Sequence, residues 1–180
     1  MTDTALQAAV RAYGAERHYR SATLERWAAL PAGDAAALLD LAQDLRLGEN
    51  QLRDLWEWAS DVAGREQVSI GAVLALDAVA VARRQPVGRN DRLRLVRSAL
   101  RRLRYPQLSA LEDRLADLVR RLDLPRGVSV TLPEFLEGDA VRIEIVATDP
   151  DSLRAAAERL ARAAESPACR ELFVLLGEAP

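Results

Sequence analysis

Residues 127–132 read "GVSVTL" and residues 140–147 read "AVRIEIVA". Both alternate apolar and polar side chains with period two, the pattern of half-buried strands. Between them "PEFLEGD", 133–139, supplies a turn with Gly138. The pair predicts a β-hairpin with a longer loop than the tight two-residue kind. Everything before Pro125 carries helical periodicity instead. The hairpin therefore decides the fold class: mainly α with a small C-terminal α+β unit.

Downstream, Asp149 and Pro150 start a helix, "DSLRAAAERLARAAE", with Leu153, Ala156, Ala157, Leu160 and Ala164 inward. The run "LFVLL" at 172–176 reads as a third strand. With the helix at 107–122 the expected order is α-β-β-α-β over 106–180, preceded by a helical bundle over 1–105.

Upstream, "TALQAAVRAYGAERHYR" reads as a first helix, breaking near Gly14, and "SATLERWAAL" stops at Pro31. Asp34 is a candidate N-cap for "AAALLDLAQDL", whose Leu38, Leu41, Ala42 and Leu45 share a face. "ENQLRDLWEWASDVA" ends at Gly64. Ser69 is the candidate cap of "IGAVLALDAVAVARR", which is apolar around most of its circumference and reads as one central buried helix. Asn90 is the candidate cap of the next helix, and Pro106 closes it.

That next helix, "RNDRLRLVRSALRRLRYP" at 89–106, holds seven arginines and one acid in a chain of formal net charge −2. Residues 81–126 carry thirteen arginines against five acids, while 21–80 carry four against ten and 127–180 five against ten. On a helical wheel Leu93, Val96, Ala99, Leu100 and Leu103 form one arc. Arg94, Arg97, Arg101 and Arg104 form a strip beside it, about 15 Å long at roughly 1.5 Å rise per residue. Guanidinium forks bind phosphate or carboxylate. The strip, with Arg84 and Arg89, is a candidate contact for a DNA or RNA backbone. The alternatives are an acidic protein partner or the acidic segments of the chain itself.

Leu38 to Ala59, "LLDLAQDLRLGENQLRDLWEWA", resembles the helix-turn-helix of bacterial DNA-binding proteins in Ala42, Leu47, Leu52 and Leu55. The resemblance covers 22 of 180 residues and implies a tight helical pair. Trp56 and Trp58 flank the apolar stripe Leu52, Leu55, Ala59 and Val62 on opposite sides. They are candidate anchors for a protein partner.

Composition removes most enzyme classes. Lysine is absent and all 25 basic residues are arginine, which excludes a Schiff-base lysine, a Ser–Lys dyad and a Walker A lysine. The bias also points to GC-rich, bacterial coding. There is one histidine, His18, and one cysteine, Cys169, so no internal disulfide and no His-type metal cluster can form. His18 reads as a surface polar residue and Cys169 as a small buried hydrophobe. Glu134, Glu137 and Asp139 share a loop without EF-hand spacing and read as a solvated acidic turn. No Gly-rich phosphate loop or nucleophile elbow occurs.

The longest nearly apolar run, "AVLALDAVAVA", is about half a membrane span, and no apolar leader follows a basic start. The expectation is a soluble, cytoplasmic, non-enzymatic protein without cofactor or metal. Its expected role is a bacterial nucleic-acid-associated accessory or regulatory protein or, as the alternative, a protein-interaction adaptor.

Overall fold

The computed structural model describes residues 3–133, 138 and 140–177. The described chain is mainly helical, with one antiparallel strand pair near its C-terminal end. It divides into two compact units, Met1–Pro106 and Gln107–Pro180.

The first unit is built from α1 (Asp3–Glu16), α2 (Ser21–Ala28), α3 (Ala32–Leu45), α4 (Glu49–Glu66), α5 (Ile70–Ala75), α6 (Asp77–Arg84) and α7 (Arg89–Arg104). Its core is one aliphatic cluster around Trp27, Leu38, Leu41, Leu45, Leu52, Leu55, Val96 and Leu100. The expected faces of α3 and α7 are the buried ones. Trp27 is wholly enclosed, and its indole N–H donates to the Ala35 carbonyl at 3.2 Å. Burial of an indole is tolerated because that donor finds an acceptor.

Local expectations fail where a distant contact outweighs a nearby signal. Gly14 does not break α1. The helix continues to Glu16, and Leu24 of α2 packs where a Cβ at position 14 would stand. Asp34 does not cap α3, which already begins at Ala32 behind Pro31. Its buried carboxylate instead accepts from the Gly71 N–H of α5 at 2.8 Å. Asn90 lies inside α7, whose N-cap is Gly88. Gly64 is likewise inside α4, and Gln67 takes the left-handed position at φ 56°. Ser69 does cap α5, accepting from Ala72 N–H at 3.0 Å.

The expected single central helix is two. Leu76, at φ −56° and ψ 142°, leaves helical geometry, and Asp77 opens α6 as a first-turn acid. The split turns Leu76 and Val81 to the surface, so the segment is amphipathic rather than wholly buried.

The second unit holds α8 (Pro106–Arg121), β1 (Val128–Thr131), β2 (Arg142–Ile145), α9 (Pro150–Ala164) and α10 (Pro167–Gly177). The strands pair antiparallel with Val128 opposite Ile145 and Val130 opposite Ile143. Those four side chains share one face of the hairpin. At the open end of the hairpin Gly127 has φ +89°. Its carbonyl accepts from Val146 N–H at 2.7 Å, and a Cβ there would meet the Val146 carbonyl oxygen at 2.6 Å. Both facts demand glycine. Asp149 caps α9, accepting from Ser152 N–H at 2.8 Å, with Pro150 at the first turn.

"LFVLL" is not a strand. It lies within α10, started by the Ser166 hydroxyl, which accepts from Cys169 N–H, and by Pro167. Ala168, Leu172 and Leu176 recur every fourth residue and close the core with Leu115 and Leu118 of α8. The unit is thus α-β-β-α-α. On α9 the buried line is Ala156 and Ala163, while Leu153 faces outward. Glu134, Glu137 and Asp139 lie outside the described residues.

Two outcomes are expected. A fragment ending at Pro106 contains a complete core and should show helical circular dichroism and a cooperative melt. The second concerns acid. The Thr23 hydroxyl and the Arg20 N–H donate to Glu49, which holds its carboxyl below the ordinary glutamate range. A depressed folded value means the stabilisation is present above the unfolded value and is lost as pH falls through the folded one. Glu49→Gln should therefore flatten the acid side of the stability profile below about pH 4.5, read from melts at a series of pH values.

Candidate interaction surfaces

α7 packs on α4 and α6. Its apolar arc faces inward, which leaves the arginine strip alongside α4. That helix presents Asp54, Glu57 and Asp61 at spacing i, i+3, i+7. The two ladders run in the same chain direction. Arg97 Nη2 lies 3.4 Å from Asp54, and Arg104 Nη2 lies 3.5 Å from Glu57 and 2.6 Å from Asp61. Arg97 also covers the Trp58 ring at 5.6 Å, and Arg104 covers Tyr105 at 5.1 Å.

Arg94 is 78% exposed and is paired within α7, with Asp91 at 3.0 Å. Arg101 is engaged as well. Exposed pairs of this kind contribute about 0–1 kcal/mol each, so their main effect is to fix the register of α7 on α4. The pairing supports the reading in which the strip meets the chain's own acids.

Arg89 has a different task. Its Nε donates to the Leu45 carbonyl at 2.7 Å, and its Nη2 donates to the Arg46 carbonyl at 2.9 Å and to Gln51 Oε1 at 3.1 Å. It closes the C-terminus of α3. Arg84 is exposed and donates to the Ala80 carbonyl one turn back. Arg83 and Arg92 share Asp44 at 3.0 Å each, and Arg83 reaches Asp40 at 2.8 Å. Sequence reasoning missed this triad because its members lie 39 and 48 residues apart.

The segment resembling a helix-turn-helix has α3 and α4 joined by Arg46 in the left-handed region at φ 47°, followed by Leu47 and Gly48. Ala42, Leu47, Leu52 and Leu55 are all enclosed. Trp56 is buried beneath the Arg26 guanidinium at 5.3 Å, and Trp58 is half-buried beneath Arg97. Each indole is covered by an arginine of the chain itself.

His18 is exposed, in a left-handed turn. Among the described residues no group of three or more His, Cys, Asp or Glu could hold a metal ion, and no helix is long and apolar enough to cross a membrane.

The surface that sequence reasoning overlooked lies in the second unit. An open cavity of about 320 Å³ runs between the hairpin and the two C-terminal helices, lined by Leu122, Val130, Ile143, Leu160, Leu172 and Phe173, with Cys169 half-buried among them. Of its lining, Ile143 and Phe173 are exposed, to 44% and 51%; Val146, Leu153 and Val174 are exposed elsewhere on the same unit. One signal was available. Five consecutive apolar residues on a helix cover more than its full circumference, so reading "LFVLL" as helical requires some of them to face outward.

Replacing Arg94, Arg97, Arg101 and Arg104 by glutamine should lower stability by about 1–3 kcal/mol in denaturant titrations. In retention assays on DNA or RNA at low salt, wild type and variant should behave alike. A steep salt dependence, with log–log slope near −3.6 for four phosphates, present only in wild type, would establish the strip as a phosphate contact instead. Arg89→Met should cost about 1–3 kcal/mol by itself, since it removes the donor to two carbonyls at a helix end.

Comparison with protein-family models, curated proteins and solved structures finds no match.

Proposed function

We propose that this chain is a non-enzymatic protein-interaction subunit whose second unit covers its open apolar face with a protein partner. The observation that carries the reading is the apolar cavity whose lining includes Ile143 and Phe173, 44% and 51% exposed. A two-stranded ribbon is marginal without further packing, and contiguous exposed apolar surface marks interaction sites on soluble domains. The arginine strip supports the same choice by contrast. Arg97 and Arg104 are paired to α4 carboxylates, which leaves less uncompensated charge for phosphates. The absence of lysine and the single histidine support a role in binding rather than catalysis.

The experiment compares two positions. A photo-crosslinking phenylalanine analogue at Phe173 should yield a discrete protein adduct in the source cells. The same analogue at Arg94, exposed on the strip, should yield none. Nucleic-acid adducts from position 94 with no protein adduct from position 173 would replace this reading by the nucleic-acid one. Phe173→Asp should leave the melting curve of the purified protein nearly unchanged, because half of that ring already faces water.

A further inference from the structure

We infer that the partner covering this surface is a second copy of the chain, joined edge to edge through β2. The inference rests on the protein-interaction reading above and names the partner for that same surface.

Among the described residues the sheet has two strands, so β2 pairs with β1 along one edge and presents unpaired backbone along the other. On the apolar face Ile143 of β2 is the exposed member, at 44%, while Val141 and Ile145, like Val128 and Val130 on β1, are half-buried.

The order of side chains along 141–145 is Val, Arg, Ile, Glu, Ile. Place a two-fold axis at Ile143 and pair the strand antiparallel with its own copy. Ile143 then faces Ile143 of the second copy, and Val141 faces Ile145. Arg142 faces Glu144, and Glu144 faces Arg142. Apolar side chains meet on the face that carries the groove, and two ion pairs form on the other.

Other arrangements lose this match. A two-fold axis at Arg142 or Glu144 sets like charges opposite each other, which destabilises an antiparallel pair. A one-residue slip turns the apolar set to the wrong face. In-register parallel pairing stacks Arg on Arg and Glu on Glu. Within the hairpin, Arg142 and Glu144 face only Thr131 and Ser129, so the intramolecular pairing offers neither charge a counterion. The β1 edge, Val-Ser-Val-Thr, carries no charge with which to choose a register. Pairing through β2 yields a four-stranded antiparallel sheet, β1-β2-β2-β1, above the threshold at which a sheet with one apolar face becomes self-supporting. An isologous two-fold contact is also the commonest form of homo-oligomer.

Full-length protein is run by multi-angle light scattering over a dilution series to on the order of 100 µM, a range that reports micromolar association. Wild type should pass from monomer to dimer. Arg142→Glu and Glu144→Arg, each alone, set like charges opposite at both pairs and should weaken the dimer by roughly tenfold or more. Two controls separate this from misfolding. The double exchange Arg142→Glu with Glu144→Arg restores complementarity and should dimerise as wild type does. An equimolar mixture of the two single variants should give a mixed dimer. Wild type that is monomeric across the series, or single variants that dimerise as well as wild type, would overturn the inference. A monomeric wild type that still gives a foreign-protein adduct from position 173 would overturn the second-copy partner and leave the protein-interaction reading standing. Absence of any protein adduct would remove that reading itself.

Discussion

The first unit depends on how α3 ends. Arg46 turns the chain through a left-handed residue, and Leu47 is buried directly after it. The carbonyls of Ala42 and Leu47 are thus carried inward, where water cannot serve them. Donors from elsewhere in the chain do so. The Tyr13 hydroxyl lies 2.7 Å from the Ala42 carbonyl and 3.0 Å from that of Leu47, which also accepts from Tyr19 at 2.8 Å. Arg17 reaches the Arg46 carbonyl at 3.1 Å, and Arg89 reaches those of Leu45 and Arg46. Four side chains from α1, the loop after it and the start of α7 converge on one helix end. Each bond adds about 0.5–1.5 kcal/mol net. Their joint effect is geometric, since α1 and α7 can dock in only one register if those carbonyls are to be met.

With α7 fixed at its N-terminus, the remaining turns fall along α4, and the arginine strip comes to lie beside Asp54, Glu57 and Asp61. Arg97 and Arg104 of the basic helix thereby meet carboxylates of the same unit. The second unit is balanced differently. Its core of Leu115, Leu118, Leu172 and Leu176 is small, and a large share of its apolar surface lies outside that core, on β2 and on the outward side of α10. In a chain with 4% aromatic residues, an exposed phenylalanine next to an open apolar channel concentrates much of the contact area available for recognition.

Features set by neighbours within a few residues were legible in the sequence. Leu38, Leu41, Ala42 and Leu45 on α3, the apolar arc of α7, the Ser69 and Asp149 caps and the alternating strands follow from period and capping chemistry alone. What was not legible came from groups far apart in the chain. Asp34 is a reasonable cap by position, yet it serves Gly71 because α5 crosses its helix. Gly14 looks like a breaker, yet Leu24 needs its missing side chain. Five apolar residues in a row fit a buried strand as well as a helix, and the cap that decides for α10, Ser166, lies six residues upstream of that run. The strip itself was legible as a geometric object. Its counterpart was present too, as three carboxylates with matching spacing on α4, but nothing local says that two helices separated by α5 and α6 lie side by side. The cavity of the second unit depended on α10 being helical, and so was hidden by that one error.

The joint at the end of α3 also has a chemical temper. Its donors are two guanidinium groups and two phenols. Guanidinium holds its proton through any pH a protein ordinarily meets. Burial pushes both phenols above their ordinary range, Tyr19 the further of the two. The folded chain therefore keeps two phenol protons that the unfolded chain gives up above about pH 10, so the joint contributes its full stability below that pH and loses it as the solution grows more basic.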